Sequence, residues 1–277
     1  MASVLITGCS SGFGLLTAVE LATRGDRVFA SMRNPAKATA LHKALADAGA
    51  ADNAEVIQLD VLDDASAQAA VRHVVDAAGG IDVLVNNAGV GYMVPFEEVT
   101  AQQVGDTFGT NVGGMIRLTQ QVLPHMRAAG KGHIVNVTSI AAFLAPPFLS
   151  VYAASKHAID ALGEALAAEV APYGIHITNV APGTYNTPMI DGVSDALVAA
   201  EASAYRERYA VAIDRHAAMM RAADTPVDVA IAVADAIHAD PPPARVVVPA
   251  ESASFVQARG PMPPEQLRDI LRQTYGV

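Results

Sequence analysis

The chain has 277 residues, of which 52% are hydrophobic and 17% charged, so it can bury a large core and is not expected to be disordered. Its net charge is −10 and it has no long basic run, which argues against nucleic acid and anionic membranes as partners. The sole cysteine, Cys9, excludes an internal disulfide and a cysteine-rich metal site. The eight histidines lack paired metal-ligand spacing, so we expect no bound metal.

Short β-branched runs alternate with alanine-rich helical stretches along the chain. The predicted strands are Ser3–Thr7, Arg27–Ser31, Glu55–Leu59, Val83–Asn86, His133–Thr138, His176–Ala181 and Arg245–Val248. The predicted helices are Gly14–Thr23, Pro35–Ala48, Ala65–Ala77, Ala101–Arg127, Tyr152–Tyr173 and Pro226–Ala239. Because the strands are continuous apolar runs, they are typical of strands covered on both faces of a parallel sheet. The pattern predicts one α/β domain, residues 1–277, with a doubly wound parallel sheet of about seven strands and helices on both faces.

No apolar run is long enough to span a bilayer. The first residues lack the basic region and cleavage site of a secretory leader, and Val4–Thr7 already belongs to a predicted strand. We therefore expect a cytoplasmic protein.

The stretch between the first strand and the first helix is rich in glycine and serine. Its candidate cofactor-binding residues are Gly8, Ser10, Ser11, Gly12, Phe13 and Gly14. A helix N-terminus has free N–H groups and a partial positive charge, and glycines let a diphosphate approach the backbone. The spacing Gly-x3-Gly-x-Gly differs from the standard dinucleotide fingerprint. The stretch therefore predicts a dinucleotide site, with an ordinary glycine turn as the alternative.

The end of the second strand bears on which dinucleotide is preferred. A carboxylate there would bind the adenosine ribose hydroxyls, whereas an arginine would accommodate a 2′-phosphate. Met32 stands at the expected carboxylate position and Arg33 follows it. This pair favours NADP(H) over NAD(H), with a solvated surface arginine as the alternative.

The next two strand ends carry further polar residues. Asp60, followed by Val61, is a candidate acceptor for an adenine amino group, although a helix cap explains it nearly as well. Asn87, Ala88 and Gly89 form a small polar turn after the fourth strand. Open α/β sheets bind ligands at the carboxyl ends of their strands, so we expect both ends to meet the cofactor.

Tyr152 and Lys156 lie four residues apart in a predicted helix, so both can point at the same spot. A nearby ammonium, together with a cationic nicotinamide ring, would stabilise a phenolate and lower its pKa, which makes proton exchange with an alcohol or carbonyl feasible. Ser139, at the end of the fifth strand, can polarise the same substrate oxygen. Asn111, unfavourable inside its predicted helix, can hold a water that relays protons to Lys156. Each of these residues taken alone is explained as well by a role without chemistry, such as a place on a solvated helix face.

Together these motifs resemble the short-chain dehydrogenase/reductase family, in its compact single-domain branch. The matching residues, in the family's order, are Thr7-Gly8-x3-Gly12-x-Gly14, Asn86-Asn87-Ala88-Gly89, Asn111, Ser139, Tyr152-x3-Lys156 and Pro182-Gly183-x3-Thr187. The resemblance covers roughly residues 3–190 and the helix and strand after residue 225. It implies a Rossmann-type fold and hydride transfer between nicotinamide and a carbonyl carbon, without a metal. The second strand also looks like that of NADP-preferring hydroxysteroid and retinol dehydrogenases.

The resemblance implies roles for the matching positions. Tyr152 is the expected acid/base, and Lys156 is expected to bind the nicotinamide ribose and lower the pKa of Tyr152. Ser139 is expected to orient the substrate oxygen, and Asn111 to complete the proton relay. The residues expected at the nicotinamide end of the cofactor are Pro182, Gly183, Thr184 and Thr187.

The match weakens after Thr187, where the family has a variable substrate lid. Residues 188–225 are rich in apolar side chains at helical spacing, which predicts one or two amphipathic helices over the site. An apolar lid favours a bulky hydrophobic substrate, with a helical cap that only fills core or forms a subunit contact as the alternative. The expected substrate-binding residues are Ser139, Tyr152, Tyr185 and Met189. Residues 250–277 form a C-terminal tail, with a last short helix after its prolines, to which the sequence assigns no role.

The residues named above are compatible with three functions. The first is an NADP(H)-dependent oxidoreductase acting on a hydrophobic ketone or alcohol, such as a steroid-like, retinoid-like or aromatic compound. The second is a 3-oxoacyl thioester reductase of fatty-acid type, which the long lid and the tail disfavour. The third is an NADP(H) sensor without catalysis, which the presence of both Tyr152 and Lys156 disfavours. By analogy with the family, we expect a homodimer or homotetramer.

Overall fold

The structure is a computed structural model that describes residues 1–187 and 203–277. Its seven strands are β1 Ser3–Ile6, β2 Arg27–Met32, β3 Ala54–Gln58, β4 Val83–Asn86, β5 Gly132–Val137, β6 Ile175–Pro182 and β7 Arg245–Val248. They form one sheet in the order β3-β2-β1-β4-β5-β6-β7, and every neighbouring pair is parallel. The predicted doubly wound parallel sheet is confirmed, and each predicted strand matches an observed strand to within one residue at either end.

Helices cover both faces of this sheet. Their bounds are α1 Gly12–Thr23, α2 Thr39–Asp47, α3 Asp64–Ala78, α4 Ala101–Phe108, α5 Gly114–Ala129, α6 Ser150–Val170, α7 Arg206–Ala222, α8 Val227–His238, α9 Ala250–Arg259 and α10 Pro264–Tyr275. On β1, Val4 and Ile6 pack into the core that contains α1, α2 and α8. Leu5 packs into the opposite core, with α3 and α5. Alternate residues of one strand thus enter two cores, which explains why the strand sequence is apolar throughout.

The structure divides one predicted helix. The stretch Ala101–Arg127 is not a single helix, because a π-helical turn, Gly109–Gly113, separates α4 from α5. Asn111 lies in this turn, and its side chain bonds the backbone of Val90 instead of facing solvent. A turn with an extra residue re-aims a side chain, and such turns occur often at functional sites.

Two segments after Thr187 also differ from the prediction. The predicted lid, residues 188–225, lies partly outside the described residues. Its described part contains one helix, α7. The tail contains two helices, α9 and α10, where the sequence predicted one short helix. No helix among residues 1–187 and 203–277 is long and apolar enough to cross a membrane.

A row of buried asparagine side chains crosses the sheet and ties it to α6. Asn86 donates to Asn136 and Asn136 donates to Asn179, each across 3.0 Å between paired positions of adjacent strands. Asn179 in turn donates to the carboxylate of Asp160 on α6 at 3.1 Å and to its backbone carbonyl at 2.9 Å. Because buried amides must be paired, this row fixes the rotation of α6 against the sheet.

Gly14 allows the glycine loop to pack closely against its neighbours. A Cβ on this residue would lie 2.4 Å from the backbone oxygen of Gly8 and 2.4 Å from the side-chain nitrogen of Asn87. Gly105, in α4, is a helical glycine with open space around it.

Gly14→Ala should therefore lower the free energy of unfolding by at least about 2 kcal/mol, since the backbone must move to admit the methyl group. The matched control Gly105→Ala should raise it by about 0.5–1 kcal/mol, because alanine loses less entropy in a helix. Urea unfolding of both variants measures the difference. Equal effects in the two variants would contradict the close approach at Gly14.

Candidate active site

A cavity of about 340 Å³ lies at the carboxyl ends of the first strands. Most of the residues predicted to bind cofactor line it: Gly8, Ser10, Ser11, Gly12, Phe13, Arg33, Asp60, Val61, Asn87, Ala88, Gly89, Tyr152, Lys156 and Thr187. Six further lining residues were not predicted to contact the cofactor: Leu59, Leu62, Val90, Thr110, Val137 and Thr138. Leu59 and Val137 lie at strand ends, so the rule that ligands bind there would have found them. We call this cavity the nucleotide groove.

The glycine loop has the geometry of a phosphate cradle. Gly8 and Gly12 have φ of +75° and +58°, a region that favours glycine. Ser11 is the N-cap residue of α1, yet its side chain makes no capping hydrogen bond. The first N–H groups of α1 and the Ser11 hydroxyl therefore stay available to a phosphate. Gly14, in contrast, is a packing residue and does not line the groove.

The turn after β4 holds the glycine loop in place. The hydroxyl of Thr7 accepts hydrogen bonds from the backbone N–H groups of Asn87 and Ala88, both at 2.9 Å. The Asn87 amide donates back to the carbonyl of Thr7 at 2.8 Å. Asn87 is thus a brace between the two loops as well as a residue that lines the groove.

Two predicted adenosine-side residues differ in their surroundings. Arg33 is exposed, lines the groove, and makes no ion pair or hydrogen bond with residues 1–187 or 203–277. Asp60 accepts from the backbone N–H of Leu62 at 3.0 Å, while the cap of α3 is Asp63. The helix-cap alternative for Asp60 is therefore wrong, because Asp63 performs that role.

Lys156 is a buried cation with little compensation from the protein. Its side chain is 4% exposed, and its Nζ donates to the carbonyl of Val137 at 2.9 Å. Burial lowers the pKa of Lys156 to about 8. The Nζ also lies 5.7 Å from the centre of the Tyr152 ring. A methyl group on Gly89 would lie 3.7 Å from this ammonium, so glycine keeps the floor of the groove open beside it.

The protein's own groups do not lower the pKa of Tyr152. Burial raises the pKa of Tyr152 to about 12, and the hydroxyl of Ser139 lowers it in part. Lys156 lies beside the aromatic ring and bonds Val137, so the protein alone leaves the phenol protonated. Gly91, which the sequence analysis missed, abuts this ring: a Cβ on it would lie 2.7 Å from Tyr152 Cδ2.

Ser139 and Asn111 lie beside these two groups. Ser139 caps a 3-10 turn, and its Oγ accepts from the N–H of Ala141 at 3.1 Å, which leaves its own proton available. The Asn111 amide donates to Val90 O and to Ser155 Oγ, both at 2.9 Å, and its Oδ1 accepts from Val90 N at 2.8 Å. The Asn111 side chain therefore holds the backbone at Val90 in place. Its role in a proton relay to Lys156 stays a prediction.

A second cavity, of about 320 Å³, adjoins the groove. Its walls are mostly apolar, and we call it the apolar pocket. Four residues line both cavities: Phe13, Thr138, Tyr152 and Thr187. Pro182, Gly183 and Thr184, predicted at the nicotinamide end, line the apolar pocket and not the groove. Tyr185 also lines it, as predicted for a substrate residue, whereas Met189 lies outside the described residues.

The far wall of the apolar pocket comes from α7 and α10. Its lining residues there are His216, Met219, Met220, Ile270, Leu271, Thr274 and Tyr275. A small core joins both helices to the loop after β4: Tyr209, Ile213 and Tyr275 pack with Met93, and the Tyr209 hydroxyl donates to the Met93 carbonyl. The sequence analysis assigned no role to the tail, because its lining residues have no local chemical signature.

The comparisons with known proteins assign this chain to a family. A family model described as short chain dehydrogenase matches residues 2–197. The chain belongs to the short-chain dehydrogenase/reductase family. Within residues 1–187 and 203–277, no cluster of histidine, cysteine, aspartate or glutamate has the arrangement of a metal site.

Three relatives indicate the range of activities near this sequence. An uncharacterized oxidoreductase, YusZ, of Bacillus subtilis is 40% identical over 207 residues, 74% of this chain and 73% of the relative. A 3-ketodihydrosphingosine reductase of Bacteroides thetaiotaomicron is 30% identical over 279 residues, 99% of this chain and 98% of the relative. Human 17-beta-hydroxysteroid dehydrogenase type 1 is 38% identical over 194 residues, 69% of this chain and 58% of the relative. This family member is therefore an oxidoreductase.

Solved structures agree with the fold. A short-chain dehydrogenase from Streptomyces avermitilis has a TM-score of 0.78 and 31% identity, and the match covers 99% of this chain and 96% of the other. A gluconate 5-dehydrogenase from Burkholderia cenocepacia, in complex with NADP and tartrate, has a TM-score of 0.74 and 28% identity, over 91% and 94%. A family member from Burkholderia phymatum in complex with NAD has a TM-score of 0.79 and 27% identity, over 94% and 96%. Similar structures thus bind either nicotinamide cofactor.

The lowered pKa of Lys156 predicts how stability depends on pH. Between about 8 and the ordinary value of 10.5, the unfolded chain holds a proton that the folded chain has released, so stability rises with pH. Without cofactor, the wild type should gain about 2 kcal/mol in unfolding free energy between pH 8 and 10, relative to Lys156→Met.

Urea unfolding at both pH values measures this difference. Lys43→Met, which removes an exposed lysine of α2, is the control and should follow the wild type. A wild type and a Lys156→Met variant with the same pH dependence would show that Lys156 keeps an ordinary pKa.

Proposed function

We propose that this protein is an NADP(H)-dependent oxidoreductase that transfers a hydride between nicotinamide and a carbonyl or secondary alcohol of a hydrophobic substrate. The observation that carries this proposal is the place of Tyr152, which lines both the nucleotide groove and the apolar pocket. A group at that junction can exchange a proton with a substrate in the pocket while a cofactor occupies the groove.

The groove fits the cofactor that the family uses. The uncapped start of α1 and the positive-φ glycines suit a diphosphate, and Asp60 and Arg33 stand where the adenosine half would lie. Lys156, with three donor protons and one protein acceptor, suits ribose hydroxyls. When bound, the nicotinamide supplies or accepts the hydride.

The protein's own residues control the proton. In the reducing direction, Tyr152 is protonated because burial raises its pKa, so its hydroxyl donates to the substrate oxygen. The Ser139 hydroxyl donates a second hydrogen bond to the same oxygen and disperses the charge that develops there. The Lys156 ammonium, beside the Tyr152 ring, then stabilises the phenolate that is left.

Arg33 supports NADP(H) as the preferred cofactor. It is an exposed guanidinium at the carboxyl end of β2, it lines the groove, and Met32 replaces the carboxylate that would repel a 2′-phosphate. The enclosure of the pocket by α7 and α10 favours a compact hydrophobic ketone over a thioester on a carrier protein. A cytoplasmic location and a homodimer or homotetramer stay predictions.

Tyr152→Phe should lower kcat for carbonyl reduction by at least about 100-fold, since it removes the proton donor. Cofactor affinity should change by less than about threefold, because the ring that lines the groove is retained. Stopped-flow turnover on a ketone panel and fluorescence titration with NADPH measure the two quantities. The exposed substitution Tyr173→Phe is the control. Retained turnover would overturn the assignment of Tyr152.

Arg33→Asp should reverse the cofactor preference. The wild type should bind NADPH at least about tenfold more tightly than NADH, because a charged hydrogen bond to phosphate is worth about 1.5–3 kcal/mol. The aspartate should repel the phosphate and accept from ribose hydroxyls, so the variant should favour NADH. Fluorescence titration with both cofactors tests this, and tighter binding of NADH by the wild type would contradict the role of Arg33.

A further inference from the structure

Two residues that the proposed mechanism does not use, Gly91 and Ser155, contact Tyr152 on different sides. Gly91 lies in the loop after β4 and faces the Tyr152 ring: a Cβ on it would lie 2.7 Å from Cδ2 and 3.3 Å from both Cγ and Cε2. Ser155 lies on α6 and is fully buried, and its Oγ donates to the backbone carbonyl of Tyr152 at 2.7 Å. Gly91 therefore meets the ring, whereas Ser155 holds the backbone.

The loop that carries Gly91 is fixed on both sides of the glycine. On one side, the carbonyl of Val90 accepts from the Asn111 amide at 2.9 Å, and the N–H of Val90 donates to Asn111 Oδ1 at 2.8 Å. On the other side, the N–H of Val94 donates to the carbonyl of Phe148 at 2.7 Å. Because the loop cannot retreat without breaking these hydrogen bonds, a side chain at position 91 would displace the ring.

Ser155 connects Tyr152 to the same asparagine. The Asn111 amide donates to Ser155 Oγ at 2.9 Å. A serine inside a helix often bonds a carbonyl one turn back, but this hydroxyl also joins α6 to the π-helical turn that contains Asn111. Replacing it by a methyl group would leave a buried amide proton and a buried carbonyl each with one partner fewer.

The two contacts restrict different motions of Tyr152. A tyrosine ring rotates about two side-chain bonds, so a fixed backbone alone does not fix the hydroxyl. The backbone at Gly91 limits that rotation from the ring's face, and Ser155 limits the movement of the α6 turn from which the ring projects. Together they hold the phenol at the junction of the nucleotide groove and the apolar pocket.

We propose that Gly91 and Ser155 are positioning residues for Tyr152. Gly91 leaves the space in which the ring lies, and Ser155 ties the backbone of Tyr152 to the π-helical turn. This inference rests on the proposed function, in which the phenol donates a proton to the substrate. A displacement of about 1 Å from the productive geometry lowers an enzymatic rate by up to about 100-fold.

Gly91→Ala should lower kcat for the reduction of cyclohexanone by at least about tenfold, and Ser155→Ala by at least about fivefold, because both misplace the phenol. KM for this small ketone and the affinity for NADPH should stay within about twofold of wild type, since neither variant removes a group that binds them. Steady-state kinetics and fluorescence titration measure these quantities.

Two control variants disturb packing at the opposite end of the sheet. A Cβ on Gly132, at the start of β5, would lie 2.5 Å from Met126 Sδ. The hydroxyl of Ser3, at the start of β1, donates to the carbonyl of Gly80 at 2.9 Å. Gly132→Ala and Ser3→Ala should lower the unfolding midpoint and keep kcat within about twofold of wild type.

Double variants show whether the effects depend on Tyr152. In Tyr152→Phe the ring stays but the proton donor is gone, so adding Gly91→Ala or Ser155→Ala should change the residual kcat by less than about twofold. In Tyr152→Ala the ring is absent, so adding Gly91→Ala should leave the unfolding midpoint unchanged, whereas in the wild type it should lower it.

Crystal structures of both single variants with NADPH supply a measurement that does not need turnover. The phenol oxygen should shift by at least about 0.5 Å or occupy a second position, because carbon atoms pack no closer than about 3.5 Å and a buried bond is lost.

The outcomes separate this inference from the proposed function. If ketones are reduced and the two variants keep the wild-type kcat, or lose as much kcat in Tyr152→Phe as in the wild type, the positioning inference is wrong and the proposed function stands. If no ketone is turned over but the phenol moves in both variants, the positioning stands and the proposed function is wrong. An unmoved phenol in both variants overturns the positioning.

Discussion

The active-site arrangement depends on an ammonium buried beside a carbonyl. Lys156 is 4% exposed and its Nζ has one protein acceptor, Val137 O, so folding removes a charge from water with little return. That cost is visible in its lowered pKa. Any further acceptor in the nucleotide groove would therefore stabilise this cation. Under the proposed function, those acceptors are ribose hydroxyls and a developing phenolate. The same desolvation that destabilises the apo protein makes the site electrostatically responsive to its ligands.

Lys156 keeps its position beside the groove only if α6 cannot rotate. The row of buried asparagine side chains supplies that constraint. Tyr152, Lys156 and Asp160 are spaced four residues apart on α6, so they share one face. Asp160 is the end of the hydrogen-bonded row from Asn86, and Arg245 of β7 pairs with it at 2.6 Å. Gly163, one turn further, lets α6 approach Asn179 closely. The register of the parallel strands thus sets the position of Tyr152 and Lys156.

The sequence predicted the parts of this protein whose signal is local. Strand positions followed from apolar runs covered on both faces, and the glycine loop from its place between β1 and α1. The π-helical turn at Asn111 was not predictable from the sequence, because the same residues suit either an α-helical or a π-helical hydrogen-bond pattern. The π-helical turn is accompanied by hydrogen bonds between the Asn111 side chain and the backbone of Val90, which is distant in the sequence. The raised pKa of Tyr152 in the protein alone could not be predicted, because spacing places Lys156 near the phenol but does not reveal the competing acceptor, Val137 O. His216 and Tyr275 meet only in three dimensions.

The parts that the sequence predicted lie mostly in the segment that matches the family model. The parts that it did not predict include the far wall of the apolar pocket. The family match ends at residue 197, and it contains Ser139, Tyr152 and Lys156. The far wall of the apolar pocket lies beyond it, on α7 and α10. The hydroxysteroid relative matches only 194 residues, so its similarity speaks to the shared chemistry. The full-length relative is, by its name, a 3-ketodihydrosphingosine reductase, and its match spans both parts. Substrate preference therefore has to be argued from the residues of the pocket wall itself.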